Sequence, residues 1–282
     1  MTATPPSVAC KEKPGSHRKA AFIFMALGIS LILISTYWLL TPSKSFTFTA
    51  DLPPGFIYRL TAVYVPATGE TCSVPGGRNT KVAFNRLGKE YKPISEVLLF
   101  RTVSGCSLML YDLEIDIIGI SSVSQKRAYT SSDYAKLAVG DDLPKRVIGT
   151  FNDTGLSEFY GQCQWLFRTV SRKRNIVRIL SCRKTNELGE IANGKPFAGY
   201  TLDQLPEKTV KLTIKLADAE HPYMKDTWVK VPGGWKRCMG KSFADQHAFC
   251  YGNHENFSTF RMVDGRVCTI YPGCTESKEV TP

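Results

Sequence analysis

Up to residue 40 the apolar residues of this 282-residue chain run together, and beyond it they recur mostly at every second place. The stretch from Ala20 to Leu40, AAFIFMALGISLILISTYWLL, carries no charge over 21 residues. As a helix rising about 1.5 Å per residue it matches a hydrocarbon layer about 30 Å thick. It predicts a membrane-spanning helix. The competing reading is a cleaved signal peptide. Against it stand the length of the run, the aromatic pair Tyr37-Trp38 at its end and the lack of a small-x-small site before Thr41 and Pro42.

After Leu40 the pattern is that of strands. Phe56 to Pro66 (FIYRLTAVYVP) is β-branched and aromatic and follows the turn-forming Pro53-Pro54-Gly55. Val97 to Val103 reads as a second strand and Leu108 to Ile120 as a third. In the latter, Leu113, Ile115 and Ile117 alternate with Glu114 and Asp116, and Ser104-Gly105 supplies the turn between the two. From Ser121 to Phe159 the chain turns polar, with Ser131-Ser132-Asp133 as a cap for a short helix through Tyr134 to Leu137. Strands resume with Gln162 to Ser171, a turn through Arg172 to Asn175, and Ile176 to Cys182. Val210, Leu212, Ile214 and Leu216 then alternate with Lys211, Thr213 and Lys215. Thr227 to Val231, His247 to Tyr251, Ser258 to Met262 and Val267 to Tyr271 complete the set, with turns at Val231 to Gly234 and Asp264-Gly265.

The fold class expected is mainly β: an antiparallel, sandwich-like region in two halves behind one membrane helix. Its parts are a tail at 1–19, the helix at 20–40, a first β domain at 46–122, a connection at 123–158 and a second β domain at 159–282. The hexapeptide LFRTVS occurs in both halves, at Leu99 to Ser104 and Leu166 to Ser171. In each it is followed by a turn and a second apolar strand, which suggests a duplicated hairpin.

Charge gives the helix a direction. Lys11, Lys13, Arg18 and Lys19 precede it and only Lys44 follows closely, so the positive-inside bias puts residues 1–19 in the cytoplasm and the rest outside. Of nine cysteines, only Cys10 falls on the reducing side. The other eight, Cys72, Cys106, Cys163, Cys182, Cys238, Cys250, Cys268 and Cys274, are an even set suited to disulfides in an oxidising compartment. Cys163 and Cys182 are equidistant from a turn centred between Arg172 and Lys173, which would set them opposite each other across a hairpin, although a longer loop could move that register. Cys72 with Cys106 is the simplest pairing in the first half. Cys238, Cys250, Cys268 and Cys274 pair among themselves in an order left open.

Little points to catalysis or to a cofactor. There is no G-x-S-x-G elbow, H-E-x-x-H, P-loop or dinucleotide fingerprint. His247, Cys250 and His254 have metal-ligand spacing with Asp245 and Glu255 alongside, but a disulfide claims Cys250 more naturally. Asp141-Asp142 reads as a turn and Glu114 with Asp116 as the polar face of a strand. Asn152-Asp153-Thr154 and Asn256-Phe257-Ser258 fit the common glycosylation pattern. Of the net charge of +11, the first forty residues hold +3 and the exported part +8, which suits an acidic protein or anionic lipid head groups as a partner and equally serves solubility. Its densest cluster, Arg172-Lys173-Arg174, is the candidate partner contact. Nucleic acid is not expected, because stacking aromatics are not interleaved there and the chain is exported.

Pro53 to Cys72 (PPGFIYRLTAVYVPATGETC) and Pro93 to Ile117 (PISEVLLFRTVSGCSLMLYDLEIDI) together carry a resemblance. They resemble small anchored or lipidated periplasmic proteins of Gram-negative bacteria encoded beside type VI secretion genes, several of which are immunity proteins against lipase or phospholipase effectors. The resemblance covers the first exported half and rests on strands and cysteines. It implies an inner-membrane, single-pass protein with a periplasmic C-terminal region that blocks a cognate secreted effector by binding, with no active-site residues. The alternative is a structural component of an envelope secretion complex, and an unrecognised periplasmic hydrolase ranks below both.

Overall fold

The computed structural model describes residues 45–72, 82–85, 94–124, 127–242 and 245–275, with the backbone alone for 82–85, 122–124 and 127–128. The apolar run of residues 20–40, with Cys10, lies outside them. Among the described residues no helix is long and apolar enough to cross a membrane. They are mainly β, with a single short 3-10 turn at Lys145–Val147.

Two sheets face each other. The larger is built on β8 (Leu156–Val170), β9 (Asn175–Thr185), β12 (Thr209–Leu216), β1 (Ser45–Asp51) and β4 (Ile94–Leu98). Short strands β10 (Ile191–Ala192), β13 (His221–Pro222), β17 (Phe260–Arg261) and β18 (Val267–Cys268) extend it. The second sheet holds β2 (Phe56–Pro66), β3 (Val82–Asn85), β5 (Phe100–Val103), β6 (Cys106–Ser124), β7 (Arg127–Val139) and β11 (Ala198–Tyr200). Alternation in sequence becomes alternation in burial. Along β8, Ser157, Phe159, Gly161, Cys163, Trp165, Phe167 and Thr169 all point inward, and their neighbours do not. Phe46 and Phe48 of β1 meet Tyr58 and Leu60 of β2 and Leu113, Ile115 and Ile117 of β6 in one core. Phe48 and Tyr58 pack edge to face at 5.4 Å.

The two long seams close differently. Along one, the chain bends at buried Leu99, so that β4 lies in the larger sheet and β5 in the second, and the Tyr64 hydroxyl donates to the Leu98 carbonyl (2.7 Å) at the corner. Along the other, side chains replace a strand pairing. Ser131 Oγ accepts from the Leu180 N–H (3.0 Å) and Asp133 Oδ2 from the Cys182 N–H (2.7 Å). These bonds answer N–H groups that an edge of β9 would otherwise leave exposed.

Several expectations change. The sheets are mixed: β1 pairs parallel with β12, and β12 parallel with β8. Alternation is blind to the direction of a neighbour, so the sequence could not show this. The stretch 123–158 is no mere connection, because β6 runs on to Ser124 and β7 returns antiparallel along it. The expected helix at Tyr134 to Leu137 is part of β7, with Ala135, Leu137 and Val139 in the core. Its presumed cap residues, Ser131 and Asp133, serve β9 instead. Strands from 46–122 and 159–282 join in the larger sheet, where β1 pairs with β12 and carries β4 on its other side, so the two stretches share one core. His247 to Tyr251 is a loop, not a strand.

Both copies of LFRTVS do form hairpin strands, and both end on a serine with positive φ, Ser104 at 50° and Ser171 at 65°. They face opposite ways, however. The first copy buries Leu99 and exposes Phe100, whereas the second buries Phe167 and Thr169. The shared element is the hairpin and its turn, not a shared surface.

Four disulfides join Cys72 to Cys106, Cys163 to Cys182, Cys238 to Cys250 and Cys268 to Cys274. Cys163 and Cys182 sit directly opposite each other in the β8–β9 register, because the real four-residue turn at 171–174 has the same centre as a two-residue one. A third sheet, of β14 (Trp228–Val231), β15 (Gly234–Cys238), β16 (Phe257–Ser258) and β19 (Tyr271–Pro272), caps the far half of that hairpin. Phe167 and Ile176 from the hairpin join Trp228, Phe260 and Tyr271 in a second core. Arg178 ties the parts together: its guanidinium lies 4.6 Å from the Trp165 ring and donates to the Ser121 carbonyl and to Glu220, which also accepts from the Tyr271 hydroxyl.

Candidate interaction surface

At the far end of β8 and β9 the basic turn meets a loop that no strand supports. Arg172 and Lys173 are exposed at the tip. Just below it, Thr169 Oγ1 donates to the Gln246 carbonyl (3.1 Å), and the Arg174 carbonyl accepts from the Arg261 N–H (2.9 Å). The turn is thereby fastened to the C-terminal cap on both sides.

The loop is built around a buried cation. Arg237, 1% exposed, donates through Nε to Thr169 Oγ1 (2.9 Å) and through Nη1 to Ser258 Oγ (2.6 Å). Its Nη2 reaches the carbonyls of Asp245 (2.9 Å) and Gln246 (3.4 Å). Burial, then the nearby charge of Arg174, brings its pKa down to about 10, which still leaves it charged at neutral pH. Asp245 answers from the other side. Its Oδ1 accepts from the N–H groups of His247 (3.1 Å) and Ala248 (2.9 Å), and its Oδ2 from that of Lys241 (3.2 Å). The Cys238–Cys250 disulfide and a bond from the Cys250 N–H to the Asp226 carbonyl (2.8 Å) complete the closure.

So many constraints hold the backbone where side chains rarely sit. Ala248 has φ 54° and Tyr251 φ 50°, the left-handed region, which costs a non-glycine residue about 1–2 kcal/mol. Gly240, at φ 76°, passes so close that a Cβ there would lie 3.0 Å from Ala248 Cα and 2.8 Å from Asp245 Oδ2. What this geometry delivers is a row. Ala248 and Cys250 are buried, His247 and Tyr251 are exposed and Phe249 is half-buried between them, with ring centres 6.1 and 6.0 Å apart. Lys241 lies 4.7 Å over the Tyr251 ring, and Met239 stands exposed beside the disulfide. Aromatic side chains carried on a rigid loop beside cations are the usual material of a protein contact.

The other sequence candidates fall elsewhere. Of His247, Cys250 and His254, the last two come together with Asp226 and without His247, but the Cys250 sulfur is bonded to Cys238 and cannot ligate as a thiolate, leaving an exposed His254–Asp226 pair at 3.4 Å. Asp116 pairs with Arg59 (3.2 Å) on the outer face of the second sheet, and Asp141-Asp142 is an exposed turn. Asn152 Oδ1 accepts from the N–H groups of Thr154 (3.0 Å) and Leu156 (2.9 Å), which gives this side chain a turn-forming role. Sequence reasoning found the basic turn but missed the aromatic row. The i, i+2, i+4 spacing of His247, Phe249 and Tyr251 was visible, and it was absorbed into an expected strand. No known protein family matches the chain, and no curated protein or solved structure is recognisably similar to it.

Proposed function

We propose that this chain is a periplasmic binding protein, anchored in the inner membrane through residues 20–40 with residues 1–19 in the cytoplasm. Its role is to block a secreted effector of the lipase type by direct contact, without chemistry of its own. The observation that carries this reading is the stapled loop: strain, a buried arginine and a disulfide all serve to hold exposed aromatic residues in one arrangement. A pre-ordered contact loses less conformational freedom on association than a mobile one. The four disulfides suit an oxidising compartment, and the resemblance of Pro53 to Cys72 and Pro93 to Ile117 to immunity proteins supports the choice of partner.

Co-expression tests it. The chain, produced together with the exported product of its neighbouring gene, is expected to restore growth that the product alone arrests. Equal arrest with and without the chain would remove the immunity reading. Loss of secretion on deletion of the chain would assign it to the secretion assembly instead.

A further inference from the structure

The position of the stapled loop says what kind of partner it can meet. The described part of the chain begins with β1, at Ser45, and β1, β12 and β8 all start at the same end of the larger sheet: Thr47 is level with Thr209 and Thr209 with Leu156. From there β8 runs fifteen residues to Val170, about 45 Å at 3.3 Å per residue, before the basic turn is reached. The point where the preceding segment joins and the tip that carries Arg172, Lys173 and the aromatic row are therefore opposite ends of the sandwich.

The chemistry at the far end is basic and aromatic together. Arg172 and Lys173 are exposed on the turn, and on the adjoining loop exposed Lys241 lies over the exposed Tyr251 ring, with Phe249 half-buried beside it. Asp245 is turned inward to backbone N–H groups, and the exposed Asp226 carboxylate beside the loop is paired with His254 at 3.4 Å. We infer that the tip docks an acidic surface of a soluble exported protein, with Phe249 and Tyr251 as anchors and Arg172, Lys173 and Lys241 as the charged rim. The inference rests on the binding-protein reading and adds to it the face that is used and the charge of what binds there.

The experiment uses the full-length chain in its host cells, with the photo-cross-linker benzoylphenylalanine placed at Phe249 or, on the outer face of the second sheet, at Ile57. The expected product forms at Phe249 and not at Ile57. It contains a soluble exported protein of net negative charge, and it falls by about tenfold or more in an Arg172→Glu, Lys173→Glu double variant that keeps the parent unfolding transition. Cross-linking at Ile57 alone, or a yield at Phe249 that the double variant leaves unchanged, overturns the inference while the binding reading stands. No product at either position removes both. Flotation of the chain's exported part with phosphatidylglycerol vesicles, lost in the double variant, would overturn it in favour of an anionic lipid surface.

Discussion

Arg237 shows how one residue organises a site that it never presents to solvent. It holds hydroxyls of the hairpin and of β16 and carbonyls of the loop, so its removal leaves Thr169, Ser258, Asp245 and Gln246 short of a partner in a dry interior. Arg237→Met is expected to cost about 3–5 kcal/mol in urea unfolding, the range for breaking a buried charged network, and to open the segment around Asp245 to protease. Asp245 sets the acid limit of the same loop. Burial alone would raise its pKa, but the N–H groups of Ala248, Lys241 and His247 and the charge of Arg237 outweigh it, so the carboxyl titrates below its ordinary value. A carboxyl with a depressed folded pKa contributes in full above its unfolded value near 3.9 and loses that contribution as the pH falls through the lower folded value. The protection of the His247 and Ala248 amides, measured against their intrinsic exchange rates, should accordingly be flat from neutrality down to about pH 5 and fall below about pH 4. Asp245→Asn should exchange quickly at every pH.

Among the elements, those whose pattern is local were legible from sequence and those whose reason is distant were not. β2 was bounded at both ends by its own residues, Phe56 and Pro66. β12 and the β8–β9 hairpin were marked by alternation, and the hairpin's symmetry placed Cys163 opposite Cys182. β1 was overlooked, although Phe46, Phe48 and Ala50 alternate with polar residues, because seven residues beside an apparent linker carry little signal. β7 was misread because serine and aspartate favour helix caps locally, while here Ser131 and Asp133 serve the edge of β9, some 49 residues away. The closed form of the 245–251 loop could not be read at all, since it depends on Arg237 lying under it. The central disulfide allows a direct test at this scale. A Cys163→Ser, Cys182→Ser double variant, which releases a closed loop of 19 residues, is expected to lose about 2–4 kcal/mol of stability by denaturant titration while the two cap disulfides still form.

Seen as a whole, the molecule hangs on a few ties between layers, and Arg178 is the one shared by all three sheets. Arg178→Ala would strip Glu220 of its cation and Trp165 of its covering guanidinium, so Trp165 fluorescence should shift to the red before the global unfolding transition. Position also has a time dimension. β1 is the first of the described strands to be synthesised, yet it lies in the larger sheet between β4, about 50 residues later, and β12, 162 residues later by the pairing of Thr47 with Thr209. At 5–20 residues per second, β1 waits on the order of ten seconds or more for its parallel partner. During that interval a phenylalanine-bearing strand with one edge open is the segment most in need of shielding, and folding cannot proceed from the N-terminus in order. Nascent chains halted before Thr209 should leave residues 45–51 open to protease, and chains carried past residue 235 should protect them. A strand flanked on both sides in the finished sheet is thus made early and completed only once β12 has arrived.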